Sequence, residues 1–120
     1  MLGKYKNKLQ PLEAQRTRLI QYLLTDCALI QGSYTEILVK CGRPGCHCKL
    51  KPAHLVARLG IRNNGIVQNK LVRIEDRQRV SQLVELYKRH KSALQQLAKI
   101  HDQQFTLLKK IIGEKNMNYK

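Results

Sequence analysis

Three cysteines and two histidines fall within residues 41–54 of this 120-residue chain. The segment Cys41-Gly-Arg-Pro-Gly-Cys46-His-Cys48-Lys-Leu-Lys-Pro-Ala-His54 has the spacing C-x4-C-x-C-x5-H. Regular helix or strand geometry does not bring sulfur atoms together over so short a separation, whereas a turn rich in Gly and Pro does. Structural zinc takes four tetrahedral thiolate or imidazole ligands, and three Cys with one His is an accepted set. The segment therefore predicts one bound Zn2+ ion.

Two histidines, His47 and His54, are candidates for the fourth zinc ligand. His54 lies at the start of a predicted strand, which would return it to the cysteines, whereas His47 stands between two ligands and would strain the chain. We predict His54 as the ligand, with His47 as the alternative. The alternative for the whole cluster is a set of free or disulfide-bonded thiols. The remaining cysteine, Cys27, is expected to be a small buried apolar residue.

Hydrophobic periodicity predicts an α+β fold, in which a zinc-stapled antiparallel β-sheet lies between two helices. Acidic residues at 75 and 76 suit a helix N-terminus, and a 3-4 apolar spacing follows them. We expect a single domain over residues 1–120, composed of a helix at 11–31 that starts with Pro11, the zinc loop and sheet at 33–74, a long helix at 75–112 and a frayed tail at 113–120.

Residues 54–62 and 66–74 alternate apolar and polar side chains around Asn63-Asn64-Gly65, which predicts a β-hairpin. With a three-residue loop and Gly65 in the left-handed conformation, Ile61 would face Val67 and Arg58 would face Lys70. One side of the hairpin would then be apolar and the other basic. Like charges opposed across strands are destabilising, so this register indicates an anionic partner.

The second predicted helix is longer than a domain of this size can cover, since about 35 residues span roughly 50 Å. We expect part of it to pack on helix 11–31 as a helical hairpin or coiled coil, and part on a second copy of the chain. The chain is accordingly predicted to be a homodimer. The seam is expected at Val80, Leu83, Tyr87, Leu94, Leu97, Leu108 and Ile111.

The chain has 23 Lys and Arg against 8 Asp and Glu, a formal charge of +15, so nucleic acid is the first partner to consider. Residues 31–74 contain eight basic residues and one acidic one. No Tyr, Phe or Trp occurs in residues 41–86, which disfavours base stacking on single strands and favours duplex DNA contacted through phosphates, with RNA left open. The candidate contacts are Lys40, Arg43, Lys49, Lys51, Arg58, Arg62 and Lys70.

The sequence favours a non-catalytic protein. A catalytic zinc keeps one coordination position open, but four protein ligands are predicted here. The eight carboxylates are scattered, and no deaminase signature, P-loop, dinucleotide turn or nucleophile elbow is present. No run approaches 18 apolar residues, and the basic start is not followed by the apolar run of a signal peptide. We expect a cytoplasmic, nucleoid-associated protein without membrane contact.

At Cys41-Gly42-Arg43-Pro44-Gly45-Cys46-His47-Cys48, with His54, the chain resembles a family of short uncharacterised prokaryotic zinc-binding proteins. Their core reads C-G-K/R-x-x-C-x-C, then a His, two strands and a long charged helix, an order that matches residues 30–110. That family usually has Gly-Pro-Tyr after the His, where this chain has Leu-Val-Ala. Such proteins look like companions of transposase and recombinase genes.

The resemblance implies a DNA-binding accessory protein of mobile-element or recombination machinery. The alternative is a protein–protein adaptor that recruits a transposase or recombinase subunit through its long helix.

Overall fold

The computed structural model describes residues 2–39 and 54–119, and it has the α+β composition predicted from the sequence. An N-terminal helix precedes a three-stranded antiparallel sheet and a long C-terminal helix. Within the described residues, no helix has the length and apolar content needed to cross a membrane. The elements are α1 (Leu2–Leu23), β1 (Ser33–Val39), β2 (His54–Asn63), β3 (Ile66–Val72), a 3-10 turn (Ile74–Asp76) and α2 (Arg77–Lys115).

Helix α1 begins and ends earlier than the predicted helix 11–31, so those bounds are wrong. Pro11 lies inside the helix, and the inward-facing positions Tyr5, Leu9 and Leu12 continue across it at helical spacing. The proline removes one interior hydrogen bond, but the packed face on both of its sides keeps the helix continuous. The helix does not reach residue 31, and beyond its end the backbone N–H of Ile30 donates to the carbonyl of Leu83 at 3.2 Å.

The chain divides into two compact units, which we call the helical unit (Met1–Cys27 with Arg89–Lys120) and the sheet unit (Ala28–Lys88). In the helical unit, α1 runs antiparallel to the second part of α2. The Tyr5 hydroxyl donates to Glu114 Oε1 at 2.6 Å, near the start of one helix and the end of the other. At the opposite end, the rings of Tyr22 and His90 lie 4.6 Å apart.

The packed seam of the helical unit follows the alternating 4-3 spacing of paired helices. On α2, Ala93 is 4% exposed and Ile100 is 7% exposed. Leu94 and Leu108, which the sequence placed in the seam, are 58% and 47% exposed and lie outside it, whereas the predicted seam residues Leu97 and Ile111 are partly buried within it. The seam residues of α2 are Ala93, Leu97, Ile100, Gln104, Leu107 and Ile111, and those of α1 are Tyr5, Leu9, Leu12, Arg16, Leu19 and Leu23.

The sheet unit has strand order β1-β2-β3, with both pairs antiparallel. Strands β2 and β3 are joined by the two residues Asn64 and Gly65, whose φ angles are 51° and 80°. Two positive φ angles at Asn-Gly define the type I′ turn, which matches the right-handed twist of the strands. Gly32 lies close to β2, because a Cβ there would stand 2.8 Å from the carbonyl oxygen of Gly60.

The two-residue turn corrects the predicted hairpin register by one residue. Arg58 pairs with Leu71, and Leu59 pairs with Lys70. Since directly paired residues share a face and successive residues alternate, Arg58 and Lys70 lie on opposite faces of the sheet. The predicted division into one apolar and one basic side is therefore wrong.

The core of the sheet unit lies against one face of the sheet. Ala57 is fully buried, Leu59 is 9% exposed, and Val84 of α2 is 2% exposed. The Arg77 guanidinium, in the first turn of α2, donates from Nη2 to the carbonyl of Leu55 at 2.7 Å. This hydrogen bond ties the start of α2 to the start of β2.

Candidate metal centre and nucleic-acid interface

The candidate metal segment connects two paired strand ends. Strand β1 ends at Val39 and β2 begins at His54, and these two residues pair directly. The Cα atoms of a directly opposed antiparallel pair lie about 4.5–5.5 Å apart. The chain therefore leaves β1 and enters β2 at neighbouring points, and the candidate ligands 41–48 fall in the segment between them. A loop that closes around a metal ion requires this arrangement of its ends.

Most of the predicted ligands lie outside the described residues. His54 is the exception, and it is exposed at the first position of β2. Across residues 2–39 and 54–119, no group of three or more His, Cys, Asp or Glu side chains is placed to hold a metal ion. The predicted site residues that fall outside the description are Cys41, Cys46 and Cys48, the alternative ligand His47, and the basic residues Lys40, Arg43, Lys49 and Lys51.

Cys27 is exposed as a free thiol, so its predicted burial is wrong. Its Sγ lies 3.9 Å from Nε2 of His90 on α2. The residue follows the last turn of α1, where the chain has already left the packed seam of the helical unit. Helical periodicity extended to residue 31 would have turned this side chain inward, and the earlier helix end explains the difference.

One face of the sheet is open and contains two of the predicted DNA contacts. Arg58 and Arg62 are exposed on it, four residues apart along β2. We call it the arginine face. From the two registers, its members are Ser33, Thr35, Ile37 and Val39 of β1, His54, Val56, Arg58, Gly60 and Arg62 of β2, and Val67, Asn69 and Leu71 of β3.

The arginine face contains no Asp or Glu. Arg58 and Arg62 form no ion pair with a carboxylate in the part of the chain that the structure describes. The one acidic residue of the strands, Glu36, pairs with Ala57 and lies on the other face, as does Lys70. The charge of the arginine face is therefore positive and has no opposing carboxylate. Lys70 does not contribute to this charge, contrary to the prediction from the sequence.

Apolar side chains lie beside the two arginines. Leu71, which pairs with Arg58, is 72% exposed, and Val67, which pairs with Arg62, is 52% exposed. Ile37 on β1 is 36% exposed. The face therefore combines guanidinium groups with exposed methyl groups. A surface that only donated hydrogen bonds to its partner would have no use for the methyl groups.

Sequence reasoning missed two residues, Arg77 and Tyr34, whose side chains form hydrogen bonds with residues of β2 and β1. Arg77 holds the backbone of Leu55, one residue from the candidate ligand His54. The Tyr34 hydroxyl donates to Glu36 Oε1 at 2.6 Å, and this hydrogen bond raises the pKa of Tyr34, while the nearby Arg77 charge lowers it. Glu36 therefore accepts this hydrogen bond on the face opposite the arginine face. A Tyr-x-Glu spacing in a predicted strand was the available signal.

Helix α2 has a second apolar row, one position after its packed seam. The row follows the same alternating spacing of four and three residues, and all of its members are exposed. Two of its members, Phe105 and Ile112, are 53% and 69% exposed. We call it the outer stripe; its members are Leu94, Ala98, His101, Phe105, Leu108 and Ile112.

Comparison with protein-family models, curated proteins and solved structures found no match to this chain.

Proposed function

We propose that this protein binds double-stranded DNA as a non-catalytic accessory of mobile-element or recombination machinery, with a zinc ion stabilising the segment between β1 and β2. The observation that supports the proposal best is the arginine face, an exposed sheet surface with two arginines and no carboxylate. A surface of this kind attracts a polyanion, and the formal charge of +15 strengthens the attraction at long range. The link to mobile elements comes from the family resemblance at residues 41–54.

Phosphate contacts would supply most of the affinity. Each neutralised phosphate releases condensed counterions, so binding through several Lys and Arg weakens steeply with salt. Lys40, Arg43, Lys49 and Lys51 belong to the segment that joins the ends of β1 and β2, and His54 at one of those ends lies on the arginine face. The basic segment therefore joins the sheet at the strand ends that border the arginine face.

Zinc fits the donor set of this segment. Cys41, Cys46, Cys48 and His54 would supply three thiolates and one imidazole, which fill a tetrahedral structural site and leave no position open for catalysis. The Val39–His54 pair brings the two ends of this segment together. Zinc would add folding free energy on the order of 10 kcal/mol, as in small zinc peptides, and would fix the basic residues of the loop.

The salt dependence of DNA affinity tests the proposal. We expect the logarithm of the binding constant for a duplex of arbitrary sequence to fall linearly with the logarithm of salt concentration, by about 0.9 per phosphate contacted. The double variant Lys49→Ala/Lys51→Ala should reduce that slope by about 1.8. Removal of the same charge from α2, in Lys109→Ala/Lys110→Ala, is the matched control and should change the slope little. An affinity indifferent to salt would contradict the proposal.

The alternative function is an adaptor that recruits a transposase or recombinase subunit through the long helix. The outer stripe favours it, because an exposed apolar row at heptad spacing is the pattern that binds a partner helix. Charge complementarity, which supports DNA binding at the arginine face, has no counterpart in this row of five apolar residues and one His. We therefore place the adaptor second.

Measurement of the molar mass in solution distinguishes the two partners that could bind the outer stripe, a second copy of the chain and a recombinase subunit. A dimer that dissociates in Phe105→Glu would place a second copy on the stripe, in line with the predicted homodimer, and would count against the adaptor. A monomer whose binding to a recombinase subunit is lost in Phe105→Glu would favour the adaptor. Gln103→Glu adds the same charge to α2 outside the outer stripe and serves as the control.

A further inference from the structure

Three hydrogen-bonding side chains form one row along the β2–β3 ribbon. Arg58 and Arg62 stand at its ends, and Gly60 lies between them on the same face. Asn69 pairs with Gly60, and its Oδ1 would stand 3.2 Å from a Cβ built on that glycine. Because Gly60 has no side chain, the Asn69 amide occupies the centre of the row.

The spacing of the row matches the repeat of a DNA duplex. Strand residues rise about 3.3 Å each, so Arg58 and Arg62 stand about 13 Å apart, with Asn69 close to midway. Base pairs of a duplex rise 3.4 Å along each strand. A ribbon lying along a groove would therefore place the two guanidinium groups about four base-pair steps apart, with the amide about two steps from each.

The two-stranded tip of the hairpin and the side-chain chemistry of the row both suit the major groove. That groove is about 12 Å wide and admits a two-stranded ribbon. Strand β1 pairs with β2 only as far as Gly60, so the hairpin is two-stranded from Ile61 to Gln68, while Arg58 lies where β1 flanks β2. The two-residue turn at Asn64 and Gly65 leaves no bulky loop at the tip. In the major groove, Arg bonds both acceptors of guanine, Asn bonds adenine in the same bidentate manner, and apolar side chains contact the thymine methyl.

The exposed methyl groups distinguish base recognition from binding to phosphates alone. Leu71 and Val67 stand directly opposite Arg58 and Arg62, and both are more than half exposed. Phosphate oxygens give such side chains no partner, whereas thymine methyl groups do. Lys70, which would suit phosphates, lies on the other face.

We propose that the β2–β3 ribbon enters the major groove and recognises base edges, with Arg58 and Arg62 on two guanines about four base-pair steps apart and Asn69 on an adenine between them. The inference rests on the proposed DNA-binding function and adds sequence specificity to it. Leu71 and Val67 contact thymine methyl groups beside the two guanines.

Selection from a pool of randomised duplexes with the full chain tests this inference. The expected result is an enriched motif with two G·C pairs at about that separation and an A·T pair near the middle. Arg58→Lys keeps the charge but loses the bidentate fork. It should therefore reduce the preference at one guanine by about five- to 150-fold.

Two further variants complete the test. Asn69→Ala should remove the preference at the central A·T pair and leave both guanines. Lys70→Ala, the neighbouring residue on the opposite face, should leave the whole motif intact. Thermal melting should be the same in Arg58→Lys as in the parent chain, because residue 58 is exposed.

The remaining outcomes show whether base recognition alone fails or DNA binding fails with it. Binding without an enriched motif, or a motif unchanged in both Arg58→Lys and Asn69→Ala, overturns base recognition and leaves DNA binding in place. Failure to bind any duplex overturns both. A motif lost only in Lys70→Ala would assign recognition to the opposite face and would also overturn the inference.

Discussion

Ile100 and Ile112 lie on the same helix but differ in burial, at 7% and 69% exposed. Replacement of Ile by Ala removes three carbon groups, each worth about 0.8 kcal/mol when fully buried. Scaled by the buried fraction, the loss is about 2.2 kcal/mol at Ile100 and about 0.7 kcal/mol at Ile112. The cavity left in the seam brings the expected loss for Ile100→Ala to about 2–4 kcal/mol.

The two variants form a matched pair, because Ala improves helix propensity equally at both positions. The difference between them therefore reports burial in the seam. The free energy of unfolding should be measured by urea denaturation with far-UV circular dichroism at low protein concentration. Equal losses in the two variants would refute the assignment of Ile100 to the packed seam and Ile112 to the outer stripe. A loss for Ile112→Ala that grows with protein concentration would indicate a second copy on the stripe.

Three other changes test the sheet unit and the metal site. Gly65→Ala should cost about 1 kcal/mol in thermal unfolding because its φ is 80°, whereas Gly3→Ala in α1, where a Cβ meets nothing within 4 Å, should not destabilise the chain. Cys46→Ser should lower bound zinc in mass spectrometry, and unchanged metal content would contradict the ligand set. Glu36 raises the pKa of Tyr34 above 10.0, so the stability from the neutral phenol is fully present below that pH and lost as pH rises through the raised pKa. Tyr34→Phe should remove a late component from the alkaline absorbance titration.

The order of elements was predictable because each one has a clear local pattern. Alternation over residues 54–62 and the Asn64-Gly65 pair indicate a hairpin, and the observed strands His54–Asn63 and Ile66–Val72 agree to within two residues. The acidic pair at 75 and 76 marks the start of the long helix closely, since α2 begins at Arg77. These signals are local, so they do not depend on tertiary contacts.

The bounds of α1 were not predictable from the same signals. Pro11 is a common first-turn residue, and that preference suggested a helix start where the structure has a helix interior. What extends the helix toward the N-terminus is the pairing of its first turns with the last turns of α2, as in the Tyr5–Glu114 hydrogen bond. A contact over 109 residues of sequence leaves no trace in local periodicity.

The hairpin register was ambiguous because β3 is an edge strand with two nearly equivalent faces. One face has Val67 and Leu71, the other Ile66 and Val72, so the apolar pattern gives little preference between them. Every residue of β3 except Val72 is exposed, so burial adds little. The turn determines the register of the hairpin, because Asn64 and Gly65 both adopt positive φ and close a two-residue loop.

That turn also determines the chemistry of the open face. A three-residue loop of residues 63–65 would place Lys70 beside Arg58 and turn Asn69 away from Gly60. The surface would then present point charges suited to phosphates. In the observed register Lys70 is on the packed side, and the open side has arginines, an amide and methyl groups. These groups differ from lysine in that their hydrogen-bonding geometry or shape distinguishes one base from another. Deletion of Asn64 would leave Asn63 and Gly65 as a two-residue Asn-Gly turn and would move Lys70 opposite Arg58. It should therefore weaken sequence preference more than it weakens salt-dependent affinity.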